Sequence, residues 1–281
     1  MIGRILSRSF WSWWDNLSYS MFTALVAALN PSFLVLVPTV AFLLTSEIGF
    51  VKQYADFWII IGCTTVAGMW LWPLSVVSHR MHEEMTNGPV VGYFKKLWQF
   101  IREHFWSSLG FWVVATGIGF LFGLSFVFYA RQMASFSPLW AIVFFVSLWF
   151  FVLFMMMEMV LVVLLYKSGM KVGEMILLAF YTVIRYAFVY FVVFLISWVL
   201  YGILLVPAAT PFLPTPGIMP LFVIIPLVSV YGLGPTLHIW TFRYVFDEAP
   251  PEEKKRSIWE LFLPIVQLWR WFLRLVRGGR R

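Results

Sequence analysis

Between Arg185 and His238 the chain runs 52 residues without an Asp, Glu, Lys, Arg or His. Such a run belongs in hydrocarbon. A membrane-crossing helix needs about 20 mainly apolar residues, because its backbone polar groups must be satisfied internally. This interval is too long for one helix, and its middle, PAATPFLPTPGIMP, crowds Pro207, Pro211, Pro214, Pro216 and Pro220. Proline lacks an amide donor and disfavours helix in the residue before it, so a turn between two spans is expected there. Residues 16–46, 57–78 and 105–130 are likewise free of these charges, and 132–166 contain only Glu158. The sequence therefore predicts an all-α, polytopic membrane protein. Its six transmembrane helices fall near 21–46, 56–78, 107–131, 138–165, 186–207 and 219–244. An N-terminal interfacial helix over 1–20 precedes the membrane domain of 21–246. A cytoplasmic linker and basic amphipathic helix over 247–281 follow it.

Composition agrees. The chain is 62% hydrophobic and 12% charged, against about 25% charged in soluble domains. That balance excludes a soluble enzyme, a nucleic-acid module and a disordered chain. Eighteen of the 20 Lys and Arg lie on the side of the two termini, and only Lys52 and Arg131 on the other. The positive-inside rule then places both termini in the cytoplasm. The N-terminal segment contains Asp15 and lacks a small-x-small cleavage site, so an uncleaved first span is expected rather than a signal peptide. Cys63 stands alone in an apolar run and reads as a small buried hydrophobe.

Several segments outside the spans are amphipathic. In NGPVVGYFKKLWQFIREHFW, Asn87 and Pro89 suit a helix start. Phe94, Leu97, Trp98, Ile101 and Phe105 share one face, and Lys95, Lys96, Gln99, Arg102 and Glu103 the other. A helix of this kind is expected to lie flat on the cytoplasmic interface, its basic side toward lipid phosphates. The C-terminal segment confines Glu260, Gln267, Arg270, Arg274 and Arg277 to one stripe and ends in RGGRR. Each basic residue near an anionic leaflet contributes about 1 kcal/mol, so Arg270, Arg274 and Arg277 join Lys95, Lys96 and Arg102 as a lipid-facing basic surface. Anionic phospholipid head groups, rather than nucleic acid, are its expected partners. The N-terminus repeats the pattern, with Arg4, Arg8 and Asp15 set against Ile5, Leu6, Trp13 and Trp14.

Spans two and three enclose one cytoplasmic amphipathic helix, and spans four and five enclose another, KVGEMILLAFYTVIRY. The two units share one orientation, as in a parallel repeat. The stretch IIIGCTTVAGMWLWPLSVVSHRMHEEMTNGPVVGYFKKLWQFIREHFWSSL resembles the central region of the YesL-like bacterial membrane proteins. Gly62, Thr64 and Thr65 stand in the span, and Phe94, Lys95 and Phe105 in the helix that follows. About 50 residues match well and about 180 loosely; the sixth span and basic tail extend beyond the family's pattern. The resemblance implies a bacterial cytoplasmic-membrane protein, sometimes linked with carbohydrate uptake, and brings no catalytic residues with it.

Within the spans, Glu158 in MMMEMV is the one formally charged residue well inside hydrocarbon, a costly placement that points to function by default. His238 and Arg243 in span six sit at similar depth, and Glu158 is expected to pair with one of them as a relay, a gate or a clamp. The cluster HRMHEE brings His79, His82 and Glu83 within reach of one another on a helix. Its order is not that of the His-Glu-x-x-His hydrolases, and a solvated helix end is the expected reading. Gly119 and Gly123, four apart, permit close helix packing. No nucleophile–base pairing, cofactor motif or metal site emerges. The expected function is a non-catalytic scaffold or accessory subunit, with other membrane subunits or a second copy as partner. The alternatives are a small transporter using Glu158 and His238, and a lipid enzyme built on the His79 cluster.

Overall fold

The computed structural model describes residues 1–32, 34, 35, 39, 53–88, 90–133, 138–209 and 229–246. Among them every regular element is helical. The remainder of the first expected span, residues 210–228 with most of the proline-rich segment and the start of the sixth span, and residues 247–281, with Arg270, Arg274 and Arg277, lie outside the described residues.

The chain opens with Ile2–Asp15 (α1) and Leu17–Ala27 (α2), followed by Ala55–Val66 (α3) and Pro73–Asn87 (α4). Two long helices come next, Tyr93–Met133 (α5) and Pro138–Lys167 (α6). Val172–Arg185 (α7) and Ala187–Ala209 (α8) follow, and a π-helical turn over Ser229–Leu233 leads into Gly234–Val245 (α9). Two of these, α5 and α6, are long and apolar enough to cross a membrane; α7 and α8, bent by 97° at Tyr186, make a third span if counted together. The expected fourth span is therefore a single helix, as its uninterrupted apolar run requires.

The expected second span, 56–78, is broken. Ala67 turns extended, Gly68 adopts φ +77°, and the helix resumes only at Pro73. The cause is local. Gly68 takes a left-handed conformation that a side chain resists, and Trp72, before proline, is held extended at φ −58°, ψ 138°. The third span also differs from expectation. It continues without interruption from the amphipathic segment, so α5 is one helix of 41 residues, about 60 Å long at 1.5 Å per residue. Leu97 and Ile101 pack on Val77, Met81 and Met85 of α4, whereas Phe94 and Trp98 face outward. The face expected to lie flat on lipid is thus divided between protein and surroundings. In the second unit, α7 is set sharply against α8 and carries Ile176, Leu177 and Phe180 outward.

Helices α3 and α5 run antiparallel in close contact. A Cβ on Gly119 would sit 2.7 Å from Cys63 O, and one on Gly123 would sit 2.7 Å from Ile60 Cα. The small-residue spacing read from the sequence is the seam of this pair, and an Asp56–Arg131 ion pair closes its far end. Around this hairpin the fold wraps back on itself. α1 lies along α9, where Ser9 Oγ donates to Ile5 O at 2.7 Å and reaches Thr236 O at 3.4 Å. α2 packs on α4 and the π turn, and α4 is enclosed by α2, α5, α6 and α9.

Candidate functional site

The polar interior is organised by α4 and the break before it. Unwinding at Ala67–Trp72 leaves backbone groups without helical partners in a buried, apolar setting, where they are costly to leave unpaired. Backbone turn bonds pair Met69 N–H with Val66 O and Leu71 N–H with Gly68 O, and two side chains from elsewhere pair with two more groups. Glu158, fully buried on α6, accepts the Gly68 N–H at 2.6 Å. Asn30, fully buried after α2, donates through Nδ2 to Met69 O at 2.7 Å and to Ser75 Oγ at 3.1 Å. Its Oδ1 accepts the Ser32 N–H at 2.9 Å, which fixes the orientation of the amide. Glu158 is therefore engaged with a broken backbone, in place of the expected partner from span six. His238 and Arg243 are occupied on the opposite side, by the HRMHEE cluster.

Helices α4 and α9 run side by side in the same direction, and their polar residues meet rung by rung. His79 Nε2 lies 3.0 Å from His238 Nδ1. One turn further, Glu83 lies 3.6 Å from Arg243, whose Nη2 donates to Asn87 Oδ1 at 2.7 Å. The spacing makes this possible: four residues separate His79 from Glu83, five separate His238 from Arg243, and both distances are about one helical turn. The expected solvated helix end is thus overturned. His79, His82 and Glu83 are all buried, because α9 arrives from 160 residues downstream to cover them. Trp70, in the break, stands edge to face against His238 and His79 with ring centres 4.5 and 5.7 Å away. On the next face, His82 Nδ1 contacts Ser78 O at 2.7 Å, and its Nε2 meets Ser20 Oγ of α2 at 3.2 Å. A carbonyl only accepts, so His82 carries its hydrogen on Nδ1 and takes one from Ser20. Burial drives the His82 pKa down to about 4, although the Ser78 carbonyl opposes that shift.

Beyond the histidines lies a charge cluster. Glu83 also faces Lys167 of α6 at 3.0 Å and Arg80 at 3.9 Å. Glu84 pairs with Lys96 at 2.8 Å and Arg80 at 3.8 Å. The cations double as aromatic contacts: Lys167 over Phe242 at 5.0 Å, Arg243 over Trp240 at 5.2 Å, Arg80 over Phe100 at 5.1 Å. Helices α4, α5, α6 and α9 are tied at this one end. Of the expected lipid-facing residues, Lys95 and Arg102 are exposed, with Arg102 stacked 5.1 Å over Trp98. Lys96, partly exposed, is paired with Glu84.

The arrangement can hold backbone, share protons and fix helices; its chemistry is that of hydrogen bonds and ion pairs. Among the described residues no three His, Cys, Asp or Glu converge to hold a metal. Two shallow apolar grooves, about 680 and 380 Å3, lie along α6, and neither is lined by Glu158, His79 or His238. Sequence reasoning missed Asn30, Gly68, Trp70 and Ser197. A signal existed for Gly68: a glycine and a proline five apart in AGMWLWP mark a break even inside an apolar run. Searches against protein families, curated proteins and solved structures match nothing to this chain.

Proposed function

We propose that the chain is a six-span protein of a bacterial cytoplasmic membrane, with both termini inside, that serves as a non-catalytic scaffold or accessory subunit of a membrane assembly. The observation that carries this reading is the Glu83 cluster. A buried carboxylate ringed by Lys167, Arg243 and Arg80 ties early and late helices into one frame. Such a cluster specifies arrangement and is costly to open, which suits a rigid frame. The outward faces of α5 and α6 complement it, with Val114, Leu121, Ile142, Phe145 and Trp149 exposed to lipid or a partner subunit. The six-span count draws on the apolar runs, and the bacterial placement on the YesL-like resemblance. Purification in mild detergent tests the reading. A stoichiometric membrane partner is the expected result; a lone chain that gains thermal stability from a solute would contradict it.

One observation favours a second reading, a small transporter. Discontinuous helices that face a buried ionisable group are a recurring element of transport sites, and the α3–α4 break faces Glu158. Solute flux into proteoliposomes that disappears in Glu158→Gln would establish transport and defeat the scaffold.

A further inference from the structure

His79 and His238 meet edge to edge, with ring planes 20° apart and 3.0 Å between His79 Nε2 and His238 Nδ1. Their outer nitrogens are also engaged. His79 Nδ1 lies 2.7 Å from Ser75 O, and His238 Nε2 lies 3.3 Å from Ser197 Oγ of α8. The carbonyl only accepts, so His79 Nδ1 bears a hydrogen in every protonation state. A neutral His79 then has a bare Nε2, and the one hydrogen between the rings belongs to His238 Nδ1. A neutral His238 is consequently bare at Nε2 and accepts from the Ser197 hydroxyl. The tautomers follow from the hydrogen-bond partners.

One added hydrogen breaks none of these contacts. On His238 Nε2 it donates to the Ser197 oxygen, whose own hydrogen swings away. The shared hydrogen stays in the 3.0 Å gap, on either ring, and the charge belongs to the pair. A second added hydrogen has no place. Both facing nitrogens would then carry N–H, and two cations would oppose each other across a hydrogen-bond distance. We propose that His79, His238 and Ser197 form a buried binding site for a single proton, and that a second proton parts α4 from α9.

The surroundings fit this stoichiometry. α4 itself contributes His82 and Glu83, and α9 contributes Arg243; Glu83 and Arg243 face each other, and His82 is committed to Ser78 and Ser20. α8 contributes Tyr201, edge to face with Trp70, and the π turn contributes Tyr231, edge to face with Tyr201. Glu158 of α6 is turned to Gly68, Arg8 of α1 lies over Trp240, and α2 presents the neutral Ser20. No described carboxylate meets the imidazoles to hold a second positive charge. The proposal stands whether the protein is a scaffold or a transporter.

The chain has four histidines, so imidazole nitrogen NMR of the full chain in lipid nanodiscs is tractable, with His82→Gln and His104→Gln as assignment controls. On acidification His238 Nε2 is expected to gain hydrogen first, one proton per molecule, while His79 Nδ1 keeps its hydrogen and the coupling across the His79–His238 hydrogen bond persists. That coupling is expected to vanish with the second proton. Uptake of two protons in one step with the coupling intact, or a bare His79 Nδ1 at neutral pH, would overturn the proposal.

Discussion

Glu158 and Glu83 are both carboxylates withdrawn from solvent, and the fold holds them by opposite means. Glu83 sits among three cations, Lys167, Arg243 and Arg80, within 3.0 to 3.9 Å. Glu158 meets no cation among its described partners and accepts one backbone N–H, that of Gly68. The first residue is needed for its charge, because its removal leaves the buried Arg243 and the partly buried Lys167 and Arg80 uncompensated. The second is needed for an acceptor oxygen at a particular place, which a neutral group supplies equally well. Burial and charge type alone do not separate a balancing ion from a backbone cap; partners do.

Glu83→Gln is the change expected to damage the protein most. Breaking a buried ion pair by deleting one partner costs about 3–5 kcal/mol, and thermal unfolding in detergent should report a loss of that order. A loss below about 1 kcal/mol would show that Lys167 and Arg243 are solvated. Next in size is Gly119→Ala. The new Cβ would meet the Cys63 carbonyl at 2.7 Å, backbone that cannot swing aside, and overpacking of this kind costs about 1–3 kcal/mol. An unchanged melting temperature would mean that α3 and α5 are less tightly seamed than described.

A smaller effect is expected from pH. The folded His82 pKa is lowered from 6.5 to about 4, so the unfolded chain binds its proton first as pH falls. The contribution is therefore complete above pH 6.5 and declines below it, reaching a loss of about 1 kcal/mol by pH 5.5. Stability compared at those two pH values in wild type and His82→Gln isolates this part. Equal declines in both proteins would assign the effect to another group.

Much of the frame was legible in the sequence. The fourth span is one helix because nothing in 138–167 interrupts it, and Gly119 and Gly123 mark a helix contact because only small residues let backbones approach so closely. The polar interior was legible by residue and illegible by partner. His238 and Arg243 stand out as costly groups in an apolar run, yet His79 and Glu83 resemble an ordinary solvated helix end until α9 covers them. That covering depends on a fold that joins residues about 160 positions apart, which no local periodicity encodes. The break at Gly68 was hidden for a different reason: hydropathy counts it as one more small residue in a span, while its effect lies in φ.

The contrast between the two carboxylates rests on Glu158 most directly, and thermal unfolding of Glu158→Gln beside Glu158→Ala tests it. The amide keeps an acceptor for the Gly68 N–H, so the glutamine protein should lie within about 1 kcal/mol of wild type. The alanine protein strands a buried donor and should lose about 1–3 kcal/mol. A glutamine protein as damaged as the alanine one would mean that Glu158, like Glu83, is held for its charge.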